Sequence, residues 1–337
     1  MAVYALAMIR FRRRLQSVLV LAAAAGVAAC GTGAPTAAPS ASPDLSGSCH
    51  AAPAPPDNQA GWNTASTAPT VFPVLVNSSG SLTCGANRLL FTFLDSKNVP
   101  IGTPDRSASI AIYDLARNGQ TPTESENGAF VWGIDKVRGF YVANVSFAEA
   151  GTWGAQFTTS AGGATPETIR MTFEVATSSP VIRVGDRAPM TDTPTGASVN
   201  GQLGQISSDT TPDSAFYKTS VTAALAAHEP FVLVFATPKF CTSAQCGPTL
   251  DRIKPLATKF PTVDFIHVEP YQLAYANGSL QPILDANGYL QSTTVTLAWG
   301  LLSEPWVFVV DRNGIVTASF EGVVSVDEIT AAATAVK

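Results

Sequence analysis

From residue 71 onward the chain divides into two stretches with different hydrophobic periods. Over 71–178, short apolar runs alternate with turn residues, and the runs predict strands at Val71–Asn77, Arg88–Asp95, Ser107–Leu115, Ala129–Ile134, Gly139–Ala148, Thr152–Thr158 and Thr168–Val175. Within Gly139–Ala148, Phe140, Val142, Asn144 and Ser146 fall on one face and Tyr141, Ala143, Val145 and Phe147 on the other. That is the period of two a strand imposes on its side chains. Short strands at this spacing, separated by turn signals, predict an all-β sandwich of roughly 100 residues.

Over 180–337 the period lengthens. Thr219–His228 and Pro248–Lys259 read as helices, Phe231–Ala236 and Val263–Val268 as buried strands, and Tyr289–Trp299 as a further helix. Trp306–Val310 and Ile315–Phe320 are strands joined by a turn, Asp311-Arg-Asn-Gly314. The last helix spans Ser325–Val336, with Ser325 at its N-cap and Glu328 three residues on, a capping box. Strand–helix–strand followed by helix–hairpin–helix is an α/β pattern. The expected fold is therefore multidomain: an all-β sandwich at 71–178 and an α/β domain at 180–337.

The N-terminus has a different character. Arg10-Phe-Arg-Arg-Arg14 precedes an apolar, small-residue stretch that ends at Cys30, as in a secretory signal. The ending Val27-Ala28-Ala29-Cys30 resembles the lipobox of bacterial lipoproteins. By that resemblance residues 1–29 are the signal peptide and Cys30 is lipidated and becomes the mature N-terminus. Residues 31–73 hold eight of the 24 prolines and two charges, Asp44 and Asp57. So little apolar surface does not offset the entropy of ordering, and 30–70 reads as a disordered tether. Removing residues 1–30 takes away four arginines and no acids, leaving 16 basic and 25 acidic residues and a net charge of −9. An acidic chain of this kind is not expected to bind nucleic acid. Its expected place is the cell membrane or envelope, on the extracytoplasmic side, held by a lipid anchor.

The chemistry is concentrated where strand Phe231–Ala236 gives way to the next helix, at Cys241-Thr-Ser-Ala-Gln-Cys246-Gly-Pro248. Pro248 suits the first position of a helix, which puts Gly247 at the cap, Cys246 just before it and Cys241 upstream in the loop. Free N–H groups and the partial positive charge of that end lower a thiol pKa, and the thiolate is the reactive form. The spacing predicts a Cys241–Cys246 disulfide. The exposure that Gly247 allows favours Cys246 as the attacking thiol.

Around these residues the chain resembles the thioredoxin-like superfamily: an apolar strand, then Phe-Ala-Thr, an aromatic, a Cys and Cys246-Gly-Pro248. Downstream, Ala298-Trp-Gly-Leu-Leu-Ser-Glu304-Pro305-Trp-Val-Phe-Val-Val-Asp-Arg-Asn-Gly314 looks like that family's cis-proline strand and hairpin. The resemblance covers about 150 residues. It implies a thiol-disulfide oxidoreductase without a cofactor, with Cys241 and Cys246 as redox pair and Glu304 and Pro305 beside the substrate chain. It would make Cys241 the attacker, so the choice between the two sulfurs stays open. Envelope protein thiols or disulfides are the implied partners. The four-residue gap between the cysteines departs from the family's usual two. Gly139–Trp153 likewise resembles a hairpin of bacterial immunoglobulin-like modules.

Two alternatives stand beside the redox reading. A thiol pair with a distant His resembles the copper-assembly Sco proteins and would make Cys241, Cys246 and His267 a Cu(I) site. A non-catalytic scaffold would keep the pair as a structural disulfide. Of five cysteines, setting aside Cys30 leaves an even four, so Cys49 and Cys84 form a candidate structural disulfide or stay apart.

Overall fold

The computed structural model describes residues 49–56, 61–62 and 69–337. The signal segment, Cys30 and most of the tether lie outside the described residues. Among the described residues no helix is long and apolar enough to cross a membrane.

The first part is built from eight strands: β1 (Val71–Leu75), β2 (Gly85–Asp95), β3 (Arg106–Asp114), β4 (Glu124–Asn127), β5 (Ala129–Ile134), β6 (Arg138–Phe147), β7 (Gly151–Ala161) and β8 (Glu167–Val175). They form two four-stranded antiparallel sheets, ordered β1-β2-β6-β5 and β4-β3-β7-β8. One core lies between them. Leu89, Phe91 and Phe93 with Tyr141, Ala143, Val145 and Phe147 meet Ile110, Ile112, Trp153, Ala155 and Phe157 of the other sheet. The opposite face of β6 explains its mixed pattern. Asn144 and Ser146 are exposed, but Phe140 and Val142 are buried in a second cluster with Leu90, Val131 and Val323, a residue of the C-terminal part. The outer face of this sheet is thus covered where its side chains are apolar and open where they are polar. Strand β4, Glu-Ser-Glu-Asn, escapes sequence detection because it is polar throughout and lies at a sheet edge.

Cys49 and Cys84 are joined by a disulfide, with Cα atoms 5.4 Å apart. The cross-link ties the segment before β1 to the turn that enters β2.

The second part continues with α1 (Val221–Ala227), β9 (Phe231–Phe235), α2 (Cys246–Ile253), α3 (Leu256–Lys259), β10 (Asp264–Val268), β11 (Leu273–Ala276), β12 (Ser279–Pro282), α4 (Thr294–Ala298), β13 (Trp306–Val310), β14 (Val316–Glu321) and α5 (Val326–Val336). Four strands make a mixed sheet in the order β10-β9-β13-β14. β10 and β9 are parallel; β9–β13 and β13–β14 are antiparallel. Every residue of β9 and β13 is buried, as expected for strands covered on both faces. Val232, Val234, Val307 and Val309 pack with Leu250, Ile253, Ile329 and Ala333 on one side. Phe231, Leu233, Phe308 and Val310 pack with Val221, Ala224 and Trp299 on the other. The expected capping box at Ser325 and Glu328 is present.

Three helix expectations need correction. The helix after β9 begins at Cys246, with Gln245 as N-cap, two residues earlier than Pro248 suggested. Pro248 is then the third helical residue, still within the first turn, where no N–H is needed. Pro255 ends that helix and separates α2 from α3. The expected helix Tyr289–Trp299 shrinks to Thr294–Ala298. Asp285 accepts the Asn287 and Tyr289 N–H groups in a turn, Leu290 and Ser292 form bridges, and Thr293 caps α4 by accepting from Thr296 N–H. Between β10 and α4 lies an unanticipated hairpin, β11–β12, turned by Asn277 (φ 52°) and Gly278 (φ 81°). Asn-Gly is the sequence best suited to such a two-residue turn.

Candidate functional site

Strand β9 ends at Phe235, and the chain crosses Cys241–Gln245 before α2 begins. Cys246 is the first helical residue and fully buried, at 0% exposure, while Cys241 stays half-buried on the loop. Both are free thiols in this structure, so the expected Cys241–Cys246 bond is replaced by a reduced pair. The N–H of Cys246, one of the unpaired donors of the helix start, donates to Cys241 Sγ at 3.2 Å. The Ser243 hydroxyl lies 3.3 Å from the same sulfur.

These contacts set the two thiols far apart in acidity. Hydrogen bonds from Cys246 and Ser243 outweigh desolvation and lower the Cys241 pKa to about 6. For Cys246, burial pushes the thiol well above the ordinary range, and the neighbouring Cys241 pushes the same way. The expectation that Gly247 leaves the Cys246 sulfur exposed is therefore corrected. A glycine at its side does not expose it, because its own side chain enters the core with Leu250 and Ile253.

Glu304 comes to the same place from the other side of the loop. The Glu304–Pro305 peptide is cis, just before β13. The Glu304 side chain is 8% exposed. Its Oε1 accepts from the Thr242 N–H at 3.3 Å and the Thr242 hydroxyl at 3.1 Å, and its Oε2 accepts from the Tyr271 hydroxyl at 2.5 Å. Burial is the main cause, and the Glu304 hydrogen bond the next, of a Tyr271 pKa far above the usual phenol value. The ligand atoms of Cys241, Cys246 and Glu304 all lie within 4.8 Å of one another. The Glu304 side chain thus lies against the thiol pair, a contact that the sequence did not reveal.

His267 does not belong to this cluster. It is 2% exposed, its Nδ1 accepts from the Tyr217 hydroxyl at 2.6 Å, and its Nε2 donates to the Ala236 carbonyl at 2.9 Å. Burial lowers its pKa, in keeping with a neutral ring. Both nitrogens are engaged, which leaves the copper set Cys241, Cys246 and His267 without its third ligand.

The β-strand part of the chain also reaches the loop. Arg138, at the start of β6, donates from Nη1 to the Ser243 carbonyl at 3.1 Å. Arg252 of α2 donates to the Trp132 and Gly133 carbonyls at the end of β5 and to Val324. Gln245 packs on Gly133 so tightly that a Cβ there would lie 2.4 Å from Gln245 Oε1. Arg138 and Phe140 share with Thr242, Ser243, Tyr271 and Glu304 a cleft of about 420 Å³. Thr242 and Ser243 are legible as polar residues inside the cysteine loop. Tyr271 and Arg138 carry no sequence signal that ties them to it, since only the fold brings them there.

No protein-family model matches the chain, and no curated protein matches it. A solved structure of a DUF4426 family protein from Pseudomonas aeruginosa PAO1 is similar over 31% of this chain and 87% of its own, at 13% identity and a TM-score of 0.22.

Proposed function

We propose that this chain is an envelope thiol-disulfide oxidoreductase, with an immunoglobulin-like sandwich followed by a thioredoxin-like domain and a lipid anchor at Cys30. The observation that carries the redox reading is the asymmetry of the pair. Cys241 is partly accessible and made acidic by hydrogen bonds from the Cys246 thiol first, then from Ser243 and the Cys246 N–H, and Cys246 waits buried beside it. The thioredoxin-like reading is supported by the mixed sheet β10-β9-β13-β14, by helices on both of its faces, and by a cis Glu304–Pro305 bond next to the thiols.

In the reducing direction the Cys241 thiolate attacks a partner disulfide. A Cys241–partner bond forms, the partner S–S bond breaks, and one partner thiolate leaves and is protonated from solvent. Cys246 then loses its proton to solvent and attacks Cys241 Sγ, which frees the second partner thiolate. The partner gains two electrons and the protein keeps a Cys241–Cys246 disulfide. Each step runs backwards when the oxidised protein meets a dithiol. The Pro305 loop flanks the thiols as the docking edge for the partner chain.

Alkylation rate against pH on the reduced chain tests this. The expected profile has one fast thiol, mapped to Cys241, with a midpoint near 6, and a second that reacts only on unfolding. Both thiols titrating at or above about 8.5, the value of an unperturbed cysteine, would return the pair to a structural role. The anchor is tested separately by mass spectrometry of the mature protein, where an unmodified N-terminus would refute lipidation of Cys30.

A further inference from the structure

We propose that the reduced Cys241 and Cys246 sulfurs and the Glu304 carboxylate hold one divalent cation of the Zn2+ class, in a site with its fourth position open to the cleft. The proposal rests on the reading of the pair as reducible thiols, because the disulfide form would have no thiolate to offer.

The ligand atoms are already gathered. All three lie within 4.8 Å of one another. Around a tetrahedral Zn2+, with Zn–S near ~2.3 Å and Zn–O near ~2.1 Å, ligand atoms sit roughly 3.5–3.8 Å apart. Small side-chain rotations close that gap without moving the backbone.

The donor set also selects the metal. Two thiolates alone suit Cu(I), whereas a carboxylate oxygen added to them favours a borderline cation such as Zn2+. Glu304 is prepared as a ligand. Thr242 fills both lone pairs of Oε1, and Oε2, held by Tyr271, keeps one lone pair for a metal. A hydrogen-bonded carboxylate of this kind is the usual support for a metal ligand. Cys241 Sγ is supported in the same way by Cys246 N–H and Ser243.

Charge points the same way. Glu304 is nearly buried, and its hydrogen-bond partners, Thr242 and Tyr271, are neutral. Among the described residues no Lys or Arg forms an ion pair with it. A cation placed between it and the sulfurs would supply the missing counter-charge. Binding forms two Zn–S bonds and one Zn–O bond, and any thiol protons leave to solvent. Thr242, Ser243 and Glu304 line the cleft, so water or a partner's donor atom can reach the fourth position.

The test is titration of the full reduced chain with Zn2+ by calorimetry and with Co2+ by absorption. The expected result is one ion per chain, a thiolate-to-cobalt charge-transfer band, and the strong visible bands of a tetrahedral site. Bound Zn2+ should also protect Cys241 from alkylation. Glu304→Gln should weaken Zn2+ binding at least ~10-fold, and Tyr271→Phe, which alters only the support of the carboxylate, by about 10-fold or more. Tyr271→Phe keeps the test valid if Glu304→Gln fails to fold. Zn2+ affinity unchanged in both variants, or a Co2+ spectrum without the thiolate band, would overturn the proposal. So would Cu(I) binding equally to the wild type and Glu304→Gln while Zn2+ does not bind. Metal-free alkylation of Cys241 is read in parallel. A slow Cys241 there defeats the redox reading, whereas a fast Cys241 with no Zn2+ site defeats this proposal alone.

Discussion

The Cys246 thiol contributes most to the acidity of Cys241, and the Cys246 N–H adds to it only as long as the loop keeps its bend. Ala244, inside that loop, has φ near 60°, the left-handed region that costs a non-glycine residue about 1 kcal/mol or more. Ala244→Gly should therefore leave the thiols in place and raise stability by up to about 1 kcal/mol, read as a shift in denaturant midpoint; a loss of stability would mean that the Ala244 methyl packs usefully. The lowered Cys241 pKa has its own thermodynamic consequence. Its folded value of about 6 lies below the unfolded value of roughly 8.5. The stabilisation is therefore complete only above the unfolded pKa and fades as pH falls toward 6. Cys246, shifted upward, acts with the opposite sign above about 8.5, so the clean window is pH 6 to 8. In reducing buffer the melting temperature of the wild type should rise relative to Cys241→Ser across that window. A difference between the two proteins that does not change with pH would contradict the assigned thiolate.

At the scale of elements, strands were legible where burial is one-sided or complete. β6 announced its core face through Tyr141, Ala143, Val145 and Phe147, and β9 and β13 announced two covered faces through unbroken apolar runs. β4 was silent because an edge strand with an exposed face needs no apolar residue. The β11–β12 hairpin was readable in Asn277-Gly278, but the exposed Ala274, Tyr275 and Ala276 around it lack the alternation that marks a half-buried strand. The helix starts at Cys246, two residues before the position Pro248 marks, because a proline fits at any position of the first turn. The cysteine pair was visible from spacing and chain context. Its acidity order was not, because it depends on which sulfur the helix turns inward. The contact of β5 with the cysteine loop can be tested through Gly133. A Cβ at this position would lie 2.4 Å from both Gln245 Oε1 and Phe140. Gly133→Ala should destabilise the chain by about 1–3 kcal/mol through overpacking. It should also speed proteolysis of the Cys241–Gln245 loop, and a protease pattern equal to the wild type would show that the loop is held without this contact.

Across the whole molecule, the sandwich sheet and the mixed sheet are fastened through buried polar groups as well as the Val323 cluster. Glu321, at the end of β14, accepts from Asn77 at 3.2 Å, Ser78 N–H at 2.8 Å, Ser81 at 2.9 Å and Ser303 at 3.1 Å. Arg88 of β2 pairs with Glu328 of α5 at 2.6 Å and donates to the Val323 carbonyl at 2.7 Å. Ser303 adjoins Glu304, so the network that joins the two parts also borders the thiol site. The Cys49–Cys84 disulfide acts at this scale too, through the 35-residue separation it closes. In the chain-entropy account such a loop contributes about 4 kcal/mol. Replacing both cysteines by alanine should lower unfolding stability by a few kcal/mol and leave Cys241 alkylation unchanged; altered Cys241 reactivity would mean that the cross-link helps to shape the Cys241–Gln245 loop.

The reduction potential of the Cys241–Cys246 couple in the full chain tests the redox assignment most directly. Equilibration with glutathione, followed by mass mapping of the alkylated Cys241 and Cys246 peptides, separates this couple from Cys49–Cys84. A stabilised Cys241 thiolate favours the reduced form and makes the couple more oxidising. The expected potential lies between about −120 and −270 mV, the span of catalytic thiol pairs. A value below about −300 mV, where structural disulfides lie, or no exchange with glutathione at all, would contradict the account.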